Sequence, residues 1–187
     1  KEKNTKEITN ELDDVSIEFE DVTFSYDGKR RVLNNINLEV NKGQLVAIVG
    51  ESGSGKSTIA SLILNSYSAT SGKIKVNDIN IENISSDDLY KKISLVSTNS
   101  YIFNGTILDN LLMGNRNAKD EEIDGALKKS RLDEFINSLK DGVNTNVGEG
   151  GNSLSGGQKQ RLSLARAILA DREMIIFDEA TSNIDVE

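Results

Sequence analysis

Proline, histidine and cysteine are all absent from this chain of 187 residues. Without cysteine nothing suggests an oxidising compartment. Without histidine the chemistry has no imidazole to draw on. The lack of proline is unusual, since about 5% is typical. No apolar run approaches the ~18 residues needed to cross a membrane, and no signal-peptide pattern is visible. Positive charge is also in short supply. The formal net charge is −8, which argues against nucleic acid or an anionic membrane surface as the main partner. The length suffices for one domain with a substantial core. The balance of 36% hydrophobic and 28% charged residues is that of a globular protein.

Residues 1–14, KEKNTKEITNELDD, are polar and without an aromatic ring, and read as a linker or flexible lead-in. From Val15 the pattern changes. Val15, Ile17 and Phe19 alternate, then Val22, Phe24 and Tyr26, which predicts a strand with a one-residue slip near Glu20. Ile36, Leu38 and Val40 predict a second strand, so the front of the chain is antiparallel β. LVAIVG, residues 45–50, is a continuous apolar run expected of a strand buried on both faces. A helix is predicted from Lys56 to about Ser66, a hairpin around Asn77-Asp78, and a short serine-capped helix in SSDDLYKKI. ISLVS predicts another buried strand. Residues 119–138 predict helix interrupted near Ser130, Leu154–Leu169 a further helix, and EMIIFDEA a strand ending at Asp178. The sum is α/β, with a mixed core and a largely parallel sheet.

Gly50-Glu51-Ser52-Gly53-Ser54-Gly55-Lys56-Ser57 fits G-x-x-x-x-G-K-[ST], between a predicted strand and a predicted helix. Glycines let backbone N–H groups close around phosphate oxygens. Lys56 would neutralise the β- and γ-phosphates, and the Ser57 hydroxyl would ligate Mg²⁺. Asp178 closes an apolar strand, where a carboxylate can hold Mg²⁺ directly or through water. Glu179 follows and could orient or deprotonate an attacking water. Tyr26, upstream of the loop, could stack on adenine or simply join the core. About a hundred residues after the first loop, NSLSGGQKQRLSLARAIL reads as a second phosphate-binding helix start.

GESGSGKST, LSGGQ, IIFDEATS and SNID occur in one order, and residues 15–187 thereby resemble the nucleotide-binding domain of an ATP-binding-cassette (ABC) transporter. The resemblance implies a P-loop core with a mainly parallel sheet, an N-terminal antiparallel β subdomain and a helical signature subdomain. It implies two such domains packed head to tail, as a homo- or heterodimer, sandwiching two ATP molecules with Mg²⁺. Gly50–Thr58 of one subunit would cradle an ATP that Ser155, Gly156, Gly157 and Gln158 of the other cover. Tyr26 becomes the adenine-stacking residue, and Asp185 falls in the loop that crosses the dimer interface. VGEGG, residues 147–151, resembles the segment that meets the coupling helices of a transmembrane domain. IFNGTILDN, residues 102–110, is exporter-like. The implied setting is the cytoplasmic face of a cell membrane, with residues 1–14 leading from a membrane domain.

Two departures matter. Thr98 stands where the family usually has a glutamine that reaches Mg²⁺ and the water. The family's switch histidine has no counterpart, so the expectation is a domain incomplete at its C-terminus that binds ATP with little turnover. A low-turnover regulatory or dimerisation module, and a soluble ABC ATPase unrelated to transport, are the competing readings. The short spacing between the two loops and the acidic charge oppose the latter. If Thr98 weakens the contact to metal and water, Thr98→Gln raises steady-state ATP turnover in the full transporter; unchanged turnover would dismiss that role.

Overall fold

The computed structural model describes residues 15–97 and 100–178. The chain forms two compact units that meet in sequence at Ile93 and Ser94.

The first unit is built on a four-stranded sheet in the order β2-β1-β3-β4, antiparallel throughout. Strands β1 (Ile17–Phe24), β2 (Leu33–Val40), β3 (Ser71–Val76) and β4 (Ile79–Asn80) compose it. The slip expected near Glu20 is a bulge: register breaks on both sides of β1 between Phe19 and Thr23, and Asp21 takes a left-handed φ of 48°. Aspartate tolerates that conformation better than a branched residue would. Asn37 stitches the bulge to β2, its amide oxygen accepting from Asp21 N at 3.0 Å and its Nδ2 donating to Asp21 Oδ1 at 2.9 Å. Gly72 is required opposite it, because a Cβ there would lie 2.5 Å from the carbonyl oxygens of Glu20 and Asp21. The bulge lets Phe19 and Val22 both face inward, and both are buried. The Asn77-Asp78 hairpin is present, with φ of 48° and 62°, the two left-handed residues of a type I′ turn.

Helix α1 (Lys56–Ile63) buries Ile59, Ala60, Leu62 and Ile63. It stops short of Ser66, because Asn65 turns left-handed at φ 52° and donates from Nδ2 to the Ile81 carbonyl at 3.2 Å. Helix α2 (Ser86–Lys92) is capped by Ser85, whose Oγ accepts from Asp88 N at 3.1 Å. The Lys91 ammonium beside Asp88, with the Ser85 hydroxyl, holds that carboxyl below its ordinary value.

Strand β5 (Ile93–Ser97) pairs with β6 (Met174–Asp178). In the second unit, helices α3 (Ile107–Leu112), α4 (Asp120–Lys129), α5 (Asp133–Ser138) and α6 (Gly156–Ala170) enclose one apolar cluster. Its centre includes Leu111, Leu162, Ala165 and Val147. The break expected near Ser130 is there, with Arg131 left-handed at φ 54°.

Two expectations of burial fail, the lesser at β5, which is a strand as expected but exposes Leu95. Residues 45–50 are not a buried strand: Leu45 is 97% exposed and Val49 92%. A continuous apolar run reports a capacity for burial. It becomes a strand only when neighbours complete its ladder and cover both faces, and no described strand pairs with it. Where a largely parallel sheet was expected, the described strands outside the antiparallel sheet pair only as β5 with β6.

Candidate nucleotide-binding site

The loop of residues 50–55 folds back on itself before α1 begins. Ser54 N donates to the Glu51 carbonyl at 3.1 Å. Gly53 and Gly55 sit at φ 80° and 97°, where a side chain is strained. Gly55 has a second reason to be glycine, since a Cβ would meet Leu33 Cδ2 at 2.7 Å. As N-cap of α1 it offers no side-chain acceptor, so no cap side chain competes with an outside group for the start of the helix. Lys56 Nζ donates to the carbonyls of Gly50 at 2.9 Å and Glu51 at 2.8 Å. Two of three ammonium donors thus hold the charge over the loop, leaving one for an anion. Ser57 is exposed at the helix start, while Thr58 is buried.

Tyr26 lies just beyond β1 and is 56% exposed, so it is not a core residue. Its hydroxyl is 3.0 Å from Thr58 Oγ1, either group being able to donate. The structure therefore brings Tyr26 to the start of α1, with Lys56 and Ser57.

The second helix start lies in the other unit. Ser155 caps α6 by a capping box: Gln158 N donates to Ser155 Oγ at 3.2 Å, and Ser155 N donates to Gln158 Oε1 at 2.8 Å. Gly156 has nothing within 4 Å of where a Cβ would stand. Its own unit does not require glycine there, whereas close approach by an outside group would. Asp178 ends β6, half-buried. Thr98, Glu179 and Asp185 lie outside the described residues.

The segment leading to α6 is a glycine turn. Gly148, Gly150 and Gly151 have φ of 71°, 60° and 66°, and the buried Val147 anchors it, its carbonyl accepting from Ser153 Oγ at 3.0 Å. Val147 N donates to Gly105 O at 2.9 Å and Ile107 N to Thr145 O at 3.0 Å. VGEGG and IFNGTILDN, far apart in sequence, are therefore bound side by side.

Sequence reasoning missed what holds the second of these. Asn110 is fully buried. Its Nδ2 donates to the carbonyls of Phe103 at 2.9 Å and Thr106 at 3.0 Å, and its Oδ1 accepts from Phe103 N at 2.9 Å. Arg166 on α6 donates to Asn110 O and Oδ1, both at 3.1 Å, and to Tyr101 O at 3.0 Å. The guanidinium also lies 5.9 Å from the Phe103 ring centre, and burial pushes its pKa down. Tyr101 and Phe103 stay exposed, edge to face at 4.7 Å. No local pattern announces the Arg166 half of this clamp, because its partners Asn110 and Tyr101 are more than fifty positions away.

A family model described as ABC transporter matches residues 33–182. The uncharacterized ABC transporter ATP-binding protein YknV of Bacillus subtilis (strain 168) is 46% identical over 180 residues, 96% of this chain and 30% of that protein. An ATP-dependent lipid A-core flippase of Legionella pneumophila (strain Paris) is 44% identical over 186 residues, 100% of this chain and 32% of that protein. A solved structure of a bacterial Atm1-family ABC exporter with ATP bound is similar at a TM-score of 0.89 and 38% identity, over 93% of this chain and 31% of that one. The chain thus spans less than a third of the length of these relatives.

Removing the Asn110 amide takes away the side-chain partner of the Phe103 N–H and carbonyl together with part of the Arg166 fork. Asn110→Ala is expected to cost about 1–3 kcal/mol in urea denaturation, with faster hydrogen exchange at Phe103. A loss below about 0.5 kcal/mol, within the range of ordinary surface substitutions, would show that the clamp does not hold the loop.

Proposed function

We propose that this chain, which belongs to the ABC transporter family, is the ATP-binding and hydrolysing part of an exporter, working by closure of two such domains head to tail around two ATP molecules. The fold is that of an ABC ATPase, with an antiparallel N-terminal sheet and helices. The observation that carries the reading is the contrast between two helix starts. At α1, loop, ammonium and uncapped amides converge as a cradle. At α6, a capped start carries a glycine its own unit does not need. A cradle and a separate lid fit a ligand shared between two copies.

Each residue then has a task. The Lys56 ammonium and the α1 amides bind the β- and γ-phosphates. The Tyr26 ring stacks on the adenine. Ser57 and Asp178 offer a hydroxyl and a carboxylate, the hard oxygen donors that suit Mg²⁺, and no group of three or more histidine, cysteine or acidic side chains competes for it among the described residues. Mg²⁺, when bound, supplies charge neutralisation at the phosphate oxygens. Thr98 stands in the sequence where the family usually has the glutamine that reaches water and metal. Glu179 orients the water in line with the γ-phosphate and accepts its proton. The partner's Ser155–Gln158 covers the γ-phosphate with backbone amides and the α6 dipole, and Asp185 lies at the dimer interface.

Export follows from the relatives, which include an exporter and a flippase. The braced surface formed by Tyr101, Phe103 and the 147–151 turn suits the coupling helices of a transmembrane domain, which supports a setting at the cytoplasmic face of a membrane. Among the described residues no helix is long and apolar enough to cross one.

Glu179→Gln in the full-length protein is expected to lower turnover by about 10²–10⁴-fold while ATP-bound dimers accumulate on gel filtration. Unchanged turnover would remove Glu179 from the chemistry. A parent already as slow as the variant would favour a regulatory module, the reading that Thr98 supports.

A further inference from the structure

Three rings gather beside the phosphate loop. Tyr26 stands 4.7 Å from Phe24 at 87° and 5.2 Å from Tyr67 at 88°, and Phe24 lies 5.7 Å from Tyr67. Phe24 is the buried end of β1, whereas Tyr67 comes from the segment after α1 and is 48% exposed. The Tyr26 hydroxyl is tied to Thr58, one turn into α1. A ring with this much solvent exposure would ordinarily sample several rotamers, and fixing it on binding would cost affinity. Here it is held from a strand, a helix and the segment beyond that helix. Both aromatic neighbours stand at right angles to it, so neither occupies it as a parallel stacking partner.

We infer that Tyr67 is a positioning residue, holding Tyr26 ready to receive the planar base of a nucleotide whose phosphates lie at Lys56. This rests on the reading that Tyr26 stacks on the base. Tyr67 touches no phosphate group and acts only through the Tyr26 ring. Its contribution is that of an edge-to-face aromatic pair, about 2- to 12-fold in affinity, and its hydroxyl is not needed.

Two probes separate base from phosphate recognition: ATP, and tripolyphosphate, which has no base. Both are titrated calorimetrically, with Mg²⁺, into the full chain and its variants. Tyr67→Ala is expected to weaken ATP about 2- to 12-fold and leave tripolyphosphate unchanged, with ATP affinity restored in Tyr67→Phe. If Tyr67→Ala weakens both probes alike, or neither, while Tyr26→Ala still weakens ATP alone, the positioning role is overturned and the stacking reading survives. If Tyr26→Ala fails to discriminate the probes, the stacking reading falls and this inference with it.

Discussion

An acidic protein that grips a polyphosphate has to overcome its own field. With a net charge of −8, nothing in the overall balance draws a nucleotide in, and attraction must come from the last few ångströms. In the proposed function one ammonium and a set of backbone amides supply it. Lys56 can serve only because the loop beneath it turns back far enough for the Gly50 and Glu51 carbonyls to hold the charge in place. That turn requires left-handed backbone at Gly53 and Gly55, and the second of these packs against Leu33 of β2. Under the proposed function the antiparallel sheet is thus part of the phosphate site.

The two helix starts show different solutions to the same problem of unpaired amides. Helix α6 satisfies part of its own need through Ser155 and Gln158. Helix α1 does so with no side chain. An uncapped start is stable only in company, and here the buried face of Ile59, Leu62 and Ile63 secures the helix that the missing cap does not. Around α6, the Asn110–Arg166 clamp fixes the 101–106 segment to the helix that carries the signature glycines. Movement of that surface and movement of α6 are therefore mechanically joined, which is what a transporter engine coupling ATP closure to a membrane domain would need.

Much of this was legible because it is local. The β1 bulge followed from two alternating runs out of phase, the Asn77-Asp78 turn from residues that accept positive φ, and helix α6 from a serine and two glycines followed by an amphipathic pattern. The phosphate loop was legible for the same reason: its spacing encodes a backbone shape. What stayed hidden depends on partners distant in sequence. Asn110 looks like any helix polar residue until Arg166, far along the chain, donates to its carbonyl and to its side-chain oxygen. Tyr67 looks like a loop aromatic until it stands beside Tyr26. Residues 45–50 show the reverse error. Their composition promised a buried strand, but hydrophobicity states what a segment tolerates, and only neighbours decide what it becomes.

The central claim is that one ATP is shared by two chains, and the absence of cysteine makes it directly accessible. Chains carrying only Ser52→Cys are mixed with chains carrying only Ser155→Cys, in the Glu179→Gln background, and exposed to a short bifunctional thiol reagent. The account predicts a covalent heterodimer that forms with ATP and not without it. A chain bearing both cysteines that crosslinks only within itself, at monomer size and around bound ATP, would contradict it.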